Sequence, residues 1–421
     1  MRSGIASYAF LLALVLIICW PLFETRPFEN VNMYILWWAD HAHPSDLLRV
    51  DPDVYPEWRP LSYATLWLQY QWAGLDRLWS YYAVNLLIWA GCGWMAYRVV
   101  LALVNSVAGG LTAAVLVLTS TQLIGSLVLI MERQSFFASL FGLAAWLIVV
   151  GVEDKPKPTW LEWTSLCLLL EAAALSKEYG LAFVGATAVY GIYRGQSHVA
   201  VAATVAALVY GGLRAVFAGG AVTVICRESG YFLGARDVCL DRFAVVTVSQ
   251  VTYNVVAAGL ASLLPGVLFE DGRITLSPRW LFTSVLLLGV AIAGWRKGPR
   301  ANRMGLLIVM INTLLNFGVY RSRNHLPALC AVAVSVGVGL PIVIDQTRRL
   351  SPSRLVPIGL GLVMLSVLSM RVMVTRQLVF DRDQMSSRSD PCSPDMADLD
   401  RDYMQQIWQR YGLTLPECTG R

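Results

Sequence analysis

Several short clusters of charged residues interrupt an otherwise apolar chain, and each carries groups suited to proton transfer or anion binding. Glu29, in Phe28-Glu29-Asn30, lies about six residues beyond the first long apolar run. Asp40-His41-Ala42-His43 follows, then Glu57-Trp58-Arg59-Pro60-Leu61, Glu132-Arg133, Ser176-Lys177-Glu178-Tyr179, and Arg321-Ser322-Arg323-Asn324-His325. A carboxylate held beside a hydroxyl can take its proton. A guanidinium can grip phosphate oxygens through paired hydrogen bonds, and fixed positive charge stabilises a departing phosphate as it gathers negative charge. The residue types therefore suit a site for an anionic headgroup and a reacting hydroxyl. Glu29 is the first candidate base, Asp40 the reserve, and Glu132 the third carboxylate.

Each group also has a plainer reading. Glu29 fits an acid at a helix start, favoured there by the dipole. Glu132 with Arg133 and Lys177 with Glu178 fit ion pairs between helices, although neighbours one apart on a helix do not face each other. Arg321 and Arg323 fit lipid-headgroup anchors. Two histidines beside Asp40 lack a defined metal-ligand set, so the metal is left unassigned.

The elements that position these groups follow from composition. Of 421 residues 56% are hydrophobic and 14% charged, with a mean hydropathy of +0.55; soluble domains carry about 25% charged residues. The chain reads as an all-α polytopic membrane protein, with the lipid bilayer as its solvent. Thirty-three basic and 28 acidic residues leave a net charge of +5, with no basic face for nucleic acid.

Apolar runs of suitable length predict eleven spans: 8–23, 79–104, 108–130, 136–152, 161–175, 181–193, 199–217, 280–295, 304–319, 326–344 and 355–373. The further apolar stretch 243–268 is assigned outside the membrane core. If it crossed, Arg296 to Arg303 and Arg348 to Arg354 would face away from the cytoplasm, against the bias of short-loop Lys and Arg. This ordering places the N-terminus in the cytoplasm and the C-terminus in the periplasm of a bacterial-type inner membrane. The outer loop 24–78, the outer segment 218–279 and the tail 375–421 then share one face, which divides the chain into a membrane domain, 1–374, and a short extracytoplasmic tail. Residues 62–72 are aromatic and amphipathic, as in a helix lying at the headgroup level. Of eight cysteines, Cys19, Cys92, Cys167 and Cys330 sit in or at the ends of apolar runs and read as inert thiols. Cys226 with Cys239 and Cys392 with Cys418 fall in two outer polar segments, where disulfides persist.

The ordered set Glu29, Trp58-Arg59-Pro60-Leu61, Glu132-Arg133, Ser176-Lys177-Glu178-Tyr179 and the arginine-rich turn 321–327 resembles the GT-C superfamily, the polytopic glycosyltransferases that use polyprenyl-phosphate-linked sugars. It is most similar to protein O-mannosyltransferase-like enzymes. The likeness covers roughly the first 330 residues. It departs from the family in opening the first loop with Glu29-Asn30 rather than paired acids, and the large soluble domain or helical repeats of many relatives have only the tail as a counterpart. The resemblance implies about eleven transmembrane helices with amphipathic juxtamembrane helices. It implies an inverting hexosyl- or pentosyltransferase that moves a sugar from a polyprenyl-phosphate donor to a glycan, lipopolysaccharide, O-antigen or protein acceptor. Glu29 would be the base, and Arg321, Arg323 and Lys177 the phosphate ligands. Arg59, Glu57, Arg133, Glu178, Tyr179, Asn324 and His325 would line the substrate site. No organic cofactor is implied, and a divalent cation is allowed. A transporter or flippase of lipid-linked saccharides is the rival, which would call for discontinuous mid-membrane helices or internal repeats; the sequence shows neither.

Overall fold

The computed structural model describes residues 2–19, 36, 38–48, 58–74, 76–77, 79–120, 130–217, 268–270, 273–275, 278–315, 326–350 and 372. Eleven helices of three turns or more occur among them. They are α1 Arg2–Cys19, α2 Pro60–Ala73, α3 Trp79–Val104, α4 Val107–Leu118, α5 Arg133–Val152, α6 Trp160–Ser176, α7 Leu181–Tyr193, α8 Ser197–Phe217, α9 Pro278–Lys297, α10 Arg303–Leu315 and α11 Leu326–Leu350. Among the described residues, four helical segments are long and apolar enough to cross a membrane: α3, α5, α8 and Leu326–Arg349. The protein is a multi-pass membrane protein.

Each of the first ten expected spans contains a described helix; the eleventh, 355–373, lies outside the described residues except for Val372. Two expectations are corrected. The third run, 108–130, does not continue as one helix, because α4 stops at Leu118. Thr119, with φ −114° and ψ 23°, leaves the helical backbone while its hydroxyl donates to the Val115 carbonyl at 2.7 Å, and Ile130–Glu132 forms a 3-10 turn before α5. The chain is also not purely helical: β1 Leu268–Glu270 pairs antiparallel with β2 Arg273–Thr275, Leu268 opposite Thr275. The intervening Asp271-Gly272 is a dipeptide that favours tight hairpins. The stretch 243–267 and the four cysteines expected outside, Cys226, Cys239, Cys392 and Cys418, lie outside the described residues. Cys19, Cys92, Cys167 and Cys330 are free thiols.

Helix starts follow local chemistry. Ser106 caps α4 by accepting from the Gly109 amide at 3.1 Å. Thr159 and Glu162 form a reciprocal capping box at the start of α6. Pro60 opens α2 at the position where a missing N–H costs nothing. The expected amphipathic stretch 62–72 lies within that helix, which packs on α6 and α5.

Helix α11 is the axis of the bundle. Every residue from Leu326 to Leu340 is buried, and the helix packs against α3, α4, α5, α9 and α10. A helix enclosed on all sides needs small residues where backbones meet. A Cβ on Gly337 would stand 2.6 Å from the Gly109 carbonyl oxygen and 2.9 Å from Val100 Cγ2, and one on Gly109 would meet the Gly337 carbonyl in return. Gly337→Val should therefore cost about 1–3 kcal/mol by overpacking and lower the unfolding temperature of the purified protein. Gly211→Ala, at a site with open space around it, should leave that temperature unchanged or raise it.

Candidate functional site

The helix-to-helix turn after α6 decides where the charged residues go. Lys177 interrupts the helix with an extended backbone, φ −163° and ψ 145°, and Glu178–Gly180 forms a 3-10 turn before α7. In extended backbone, successive side chains point to opposite sides. Lys177 and Glu178 accordingly reach different partners. Gly180 closes the turn, since a Cβ there would run into the Ala173 carbonyl of α6.

Lys177, with 3% of its side chain exposed, places Nζ 3.3 Å from Glu132 Oε2, and that carboxylate is 1% exposed. The Lys177 ammonium also donates to Ser135 Oγ at 2.8 Å, and the Ser135 hydroxyl donates to Glu132 at 2.8 Å. Three side chains thus satisfy one another where the turn after α6 meets the start of α5. On the other side of the turn, Arg59 grips Glu178 with Nε 3.3 and 3.2 Å from its two oxygens and Nη2 at 3.0 Å. Ser62 of α2 donates to the Ser176 carbonyl at 3.1 Å, so α2 is fastened to the same turn. Burial raises the Glu178 carboxyl, but the charges of Arg59 and Arg214 outweigh it and hold the group below its ordinary value. The Tyr179 ring lies under the Lys177 ammonium, 5.8 Å from Nζ to centroid. Arg214 also reaches Tyr210, whose ring lies 5.6 Å from that of Trp58.

Arg133 starts α5 and turns away from Glu132. Its side chain is fully buried, and its Nε and Nη2 donate to Asn85 Oδ1 at 3.1 Å and Gln69 Oε1 at 2.6 Å. Both amides are fixed at their other ends: Asn85 donates to the Ile130 carbonyl at 3.2 Å, and Gln69 to Ser80 Oγ at 3.1 Å.

Arg59, Glu132, Arg133, Lys177, Glu178 and Tyr179 therefore gather at one end of the bundle from sequence positions 120 residues apart. Asp40 is exposed in helical backbone with His41 Nδ1 3.9 Å away, while the Asp46 carboxylate accepts from the His43 amide. Among the described residues no three of histidine, cysteine, aspartate or glutamate form a metal-ligand group, so no cation is assigned to Asp40, His41 and His43. Glu29, Glu57, Arg321, Arg323, Asn324 and His325 lie outside the described residues. Sequence reading passed over Gln69, Asn85, Ser135 and Arg214. The signal for Asn85 was a lone amide in the apolar run of α3, and for Arg214 a lone cation near the end of α8.

Comparison with family models and with curated proteins gives no match. Among solved structures, the archaeal oligosaccharyltransferase AglB from Archaeoglobus fulgidus, in complex with an inhibitory peptide and a dolichol-phosphate, aligns with a TM-score of 0.58 at 11% identity over 99% of this chain and 60% of that one. A second structure of the Archaeoglobus fulgidus oligosaccharyltransferase, tethered to an acceptor peptide containing the NVT sequon, aligns with a TM-score of 0.57 at 11% identity, over 97% and 59%. The chain spans about three fifths of the length of these structures. The likeness shows a shared fold.

Removing one member of a buried ion pair strands the other, at about 3–5 kcal/mol. Lys177→Met should therefore destabilise strongly, and adding Glu132→Gln should recover part of the loss, as equilibrium unfolding of single and double variants will measure. For Glu178 the folded carboxyl titrates below the ordinary 4.5. Its contribution to stability is present above that value and lost as pH falls through the lower folded one. Glu178→Gln should flatten this acid limb in pH-dependent thermal unfolding.

Proposed function

We propose that the protein is a membrane glycosyltransferase that moves a sugar from a polyprenyl-phosphate donor to an acceptor hydroxyl or amide at the non-cytoplasmic face. The observation that carries the reading is the gathering of Arg59, Arg133, Lys177, Glu132 and Glu178 at one end of a bundle with the fold of an oligosaccharyltransferase. That neighbour was solved with a dolichol-phosphate, which supports a lipid-phosphate ligand and a protein or glycan acceptor here.

In the reaction proposed, the acceptor atom attacks the anomeric carbon from the face opposite the phosphate and its proton passes to a carboxylate. The bond from sugar to phosphate oxygen breaks, and its electron pair leaves with the polyprenyl phosphate, which inverts the anomeric centre. Glu29 is the base by its position just beyond the first span, with Asp40 as reserve. Glu132 is engaged by Lys177 and Ser135, and its role is to hold that ammonium in place. The Arg59 to Glu178 pair fixes the interfacial helix against the turn. Arg321, Arg323, Asn324, His325 and Glu57 are assigned to the substrate by their sequence positions.

Purified protein given synthetic polyprenyl-phosphate sugars and an acceptor should release polyprenyl phosphate. Glu29→Gln should lower turnover about 100- to 10,000-fold while donor binding persists, and Asp40→Asn should be milder. No release from any such donor, under conditions where the protein stays folded, overturns the function. Full activity in Glu29→Gln with loss in Asp40→Asn moves the base to Asp40.

A further inference from the structure

The end of the bundle away from the Lys177 turn carries cations that no contact described so far absorbs. Helix α7 starts at that turn and finishes at Tyr193, and the Tyr193 hydroxyl accepts from Arg303 at 2.7 Å. The connection from α9 to α10 therefore lies at the far end. It presents Arg296, Lys297, Arg300 and Arg303, all exposed, with no carboxylate between them in sequence. Among the described residues none of the four has an ion-pair partner, because Glu153, Glu162 and Asp345 at this end are engaged by Arg194, Lys155 and Arg349.

The backbone that carries these charges is held in place. The Gly298 amide donates to the Gly294 carbonyl at 2.9 Å and the Asn302 amide to the Pro299 carbonyl at 3.0 Å, while Trp146 Nε1 of α5 donates to the Ala301 carbonyl at 3.2 Å. A Cβ on Gly294 would stand 2.3 Å from the Ser335 carbonyl oxygen, so α9 lies directly against α11. Like charges fixed on such a frame repel one another unless an anion lies among them.

Both helices also turn an apolar edge outward beside the cations. On α9, Val285, Ile292 and Arg296 are exposed; on α10, Arg303, Leu306, Met310 and Leu314 are. These spacings put each set on one helix face, so that on both helices an exposed apolar stripe ends in a cation. Positive charge above an apolar flank matches an amphiphile with an anionic head and acyl chains. A soluble acidic protein would match the charge and leave the flank uncovered.

We propose that the α9–α10 connection and the helix edges beside it form a docking surface for an anionic phospholipid, its headgroup charge met by Arg296, Lys297, Arg300 and Arg303 and its acyl chains lying along the exposed edges of α9 and α10. Basic clusters between membrane helices recognise anionic headgroups in this way. The surface lies at the opposite end of the bundle from the transfer site proposed above and does not depend on that reading, since its ligand is a bulk lipid of the membrane.

The test measures binding of phosphatidylglycerol and of phosphatidylcholine with the same acyl chains to the full-length purified protein in detergent, with polyglutamate as a soluble competitor. The wild type should prefer phosphatidylglycerol, and the preference should shrink as salt is raised. The double variant Arg296→Gln, Arg300→Gln should lose roughly ten- to thirtyfold in phosphatidylglycerol affinity and keep the unfolding temperature, since both side chains are exposed. Lys157→Gln with Arg348→Gln removes as much charge from exposed positions at the same end and should cost far less. Equal losses in the two double variants, or none in the first, overturn the site in favour of net charge alone. A wild type without preference between the two lipids overturns it outright, and polyglutamate that displaces phosphatidylglycerol at equal charge concentration overturns the lipid as occupant in favour of an acidic protein.

Discussion

An ammonium group with 3% of its side chain exposed cannot stay charged in an apolar bundle without an anion beside it, and the answer of this fold to that constraint sets the rest of that end of the bundle. Lys177 meets Glu132 across the gap between α5 and α6, and the single extended residue at the end of α6 is what lets it do so. Had the helix continued through 177 and 178, the two side chains would have stood about 100° apart around one axis. The break sends one toward α5 and the other toward Arg59. One local interruption thus links α6, α5 and the approach to α2.

From this link the positions of the other charges follow. Because Glu132 is drawn to Lys177, it does not cap α5, and because Arg133 follows it on a helix, the guanidinium points toward α3 and α2. Helix α2 is held at both ends of this arrangement, through Ser62 and Arg59 on one side and through Gln69 on the other. Neutral and charged partners are distributed unevenly. Carboxylates face Lys177 and Arg59, amides face Arg133, and this difference gives the end of the bundle an electrostatic character suited to an anionic headgroup.

The opposite end of the bundle is built differently. Glu153 at the end of α5 pairs with Arg194 at 3.5 Å and accepts from Tyr190, the capping box of α6 pairs with Lys155, and Arg303 reaches Tyr193 at 2.7 Å. These contacts join α5, α6, α7 and α10 at their turns. Between the two polar ends runs the apolar middle around α11, where Gly109 and Gly337 allow backbones to touch. A bundle fastened at both ends and packed closely between them holds its charges in fixed geometry.

The sequence by itself determined that the chain is a polytopic helical membrane protein, because apolar runs of span length survive any tertiary arrangement. It also picked out the charged residues worth watching, since a charge in such a run is costly enough to be rare. Arg59, Glu132, Arg133, Lys177 and Glu178 were legible in this way, and the structure brings all five to one end. Their pairing was not legible. Neighbours in sequence read as partners or as one site, but a helix start separates Glu132 from Arg133 and one extended residue separates Lys177 from Glu178, so that each finds its partner 45 to 119 residues away or, for Arg133, in two amides that look unremarkable in the sequence. The early end of α4 at Thr119 escaped the sequence for a related reason: hydropathy averages over a run, whereas one residue leaving helical backbone ends a helix. Which charges are cancelled and which stay free is decided by where backbones bend, and only the tertiary structure holds that information.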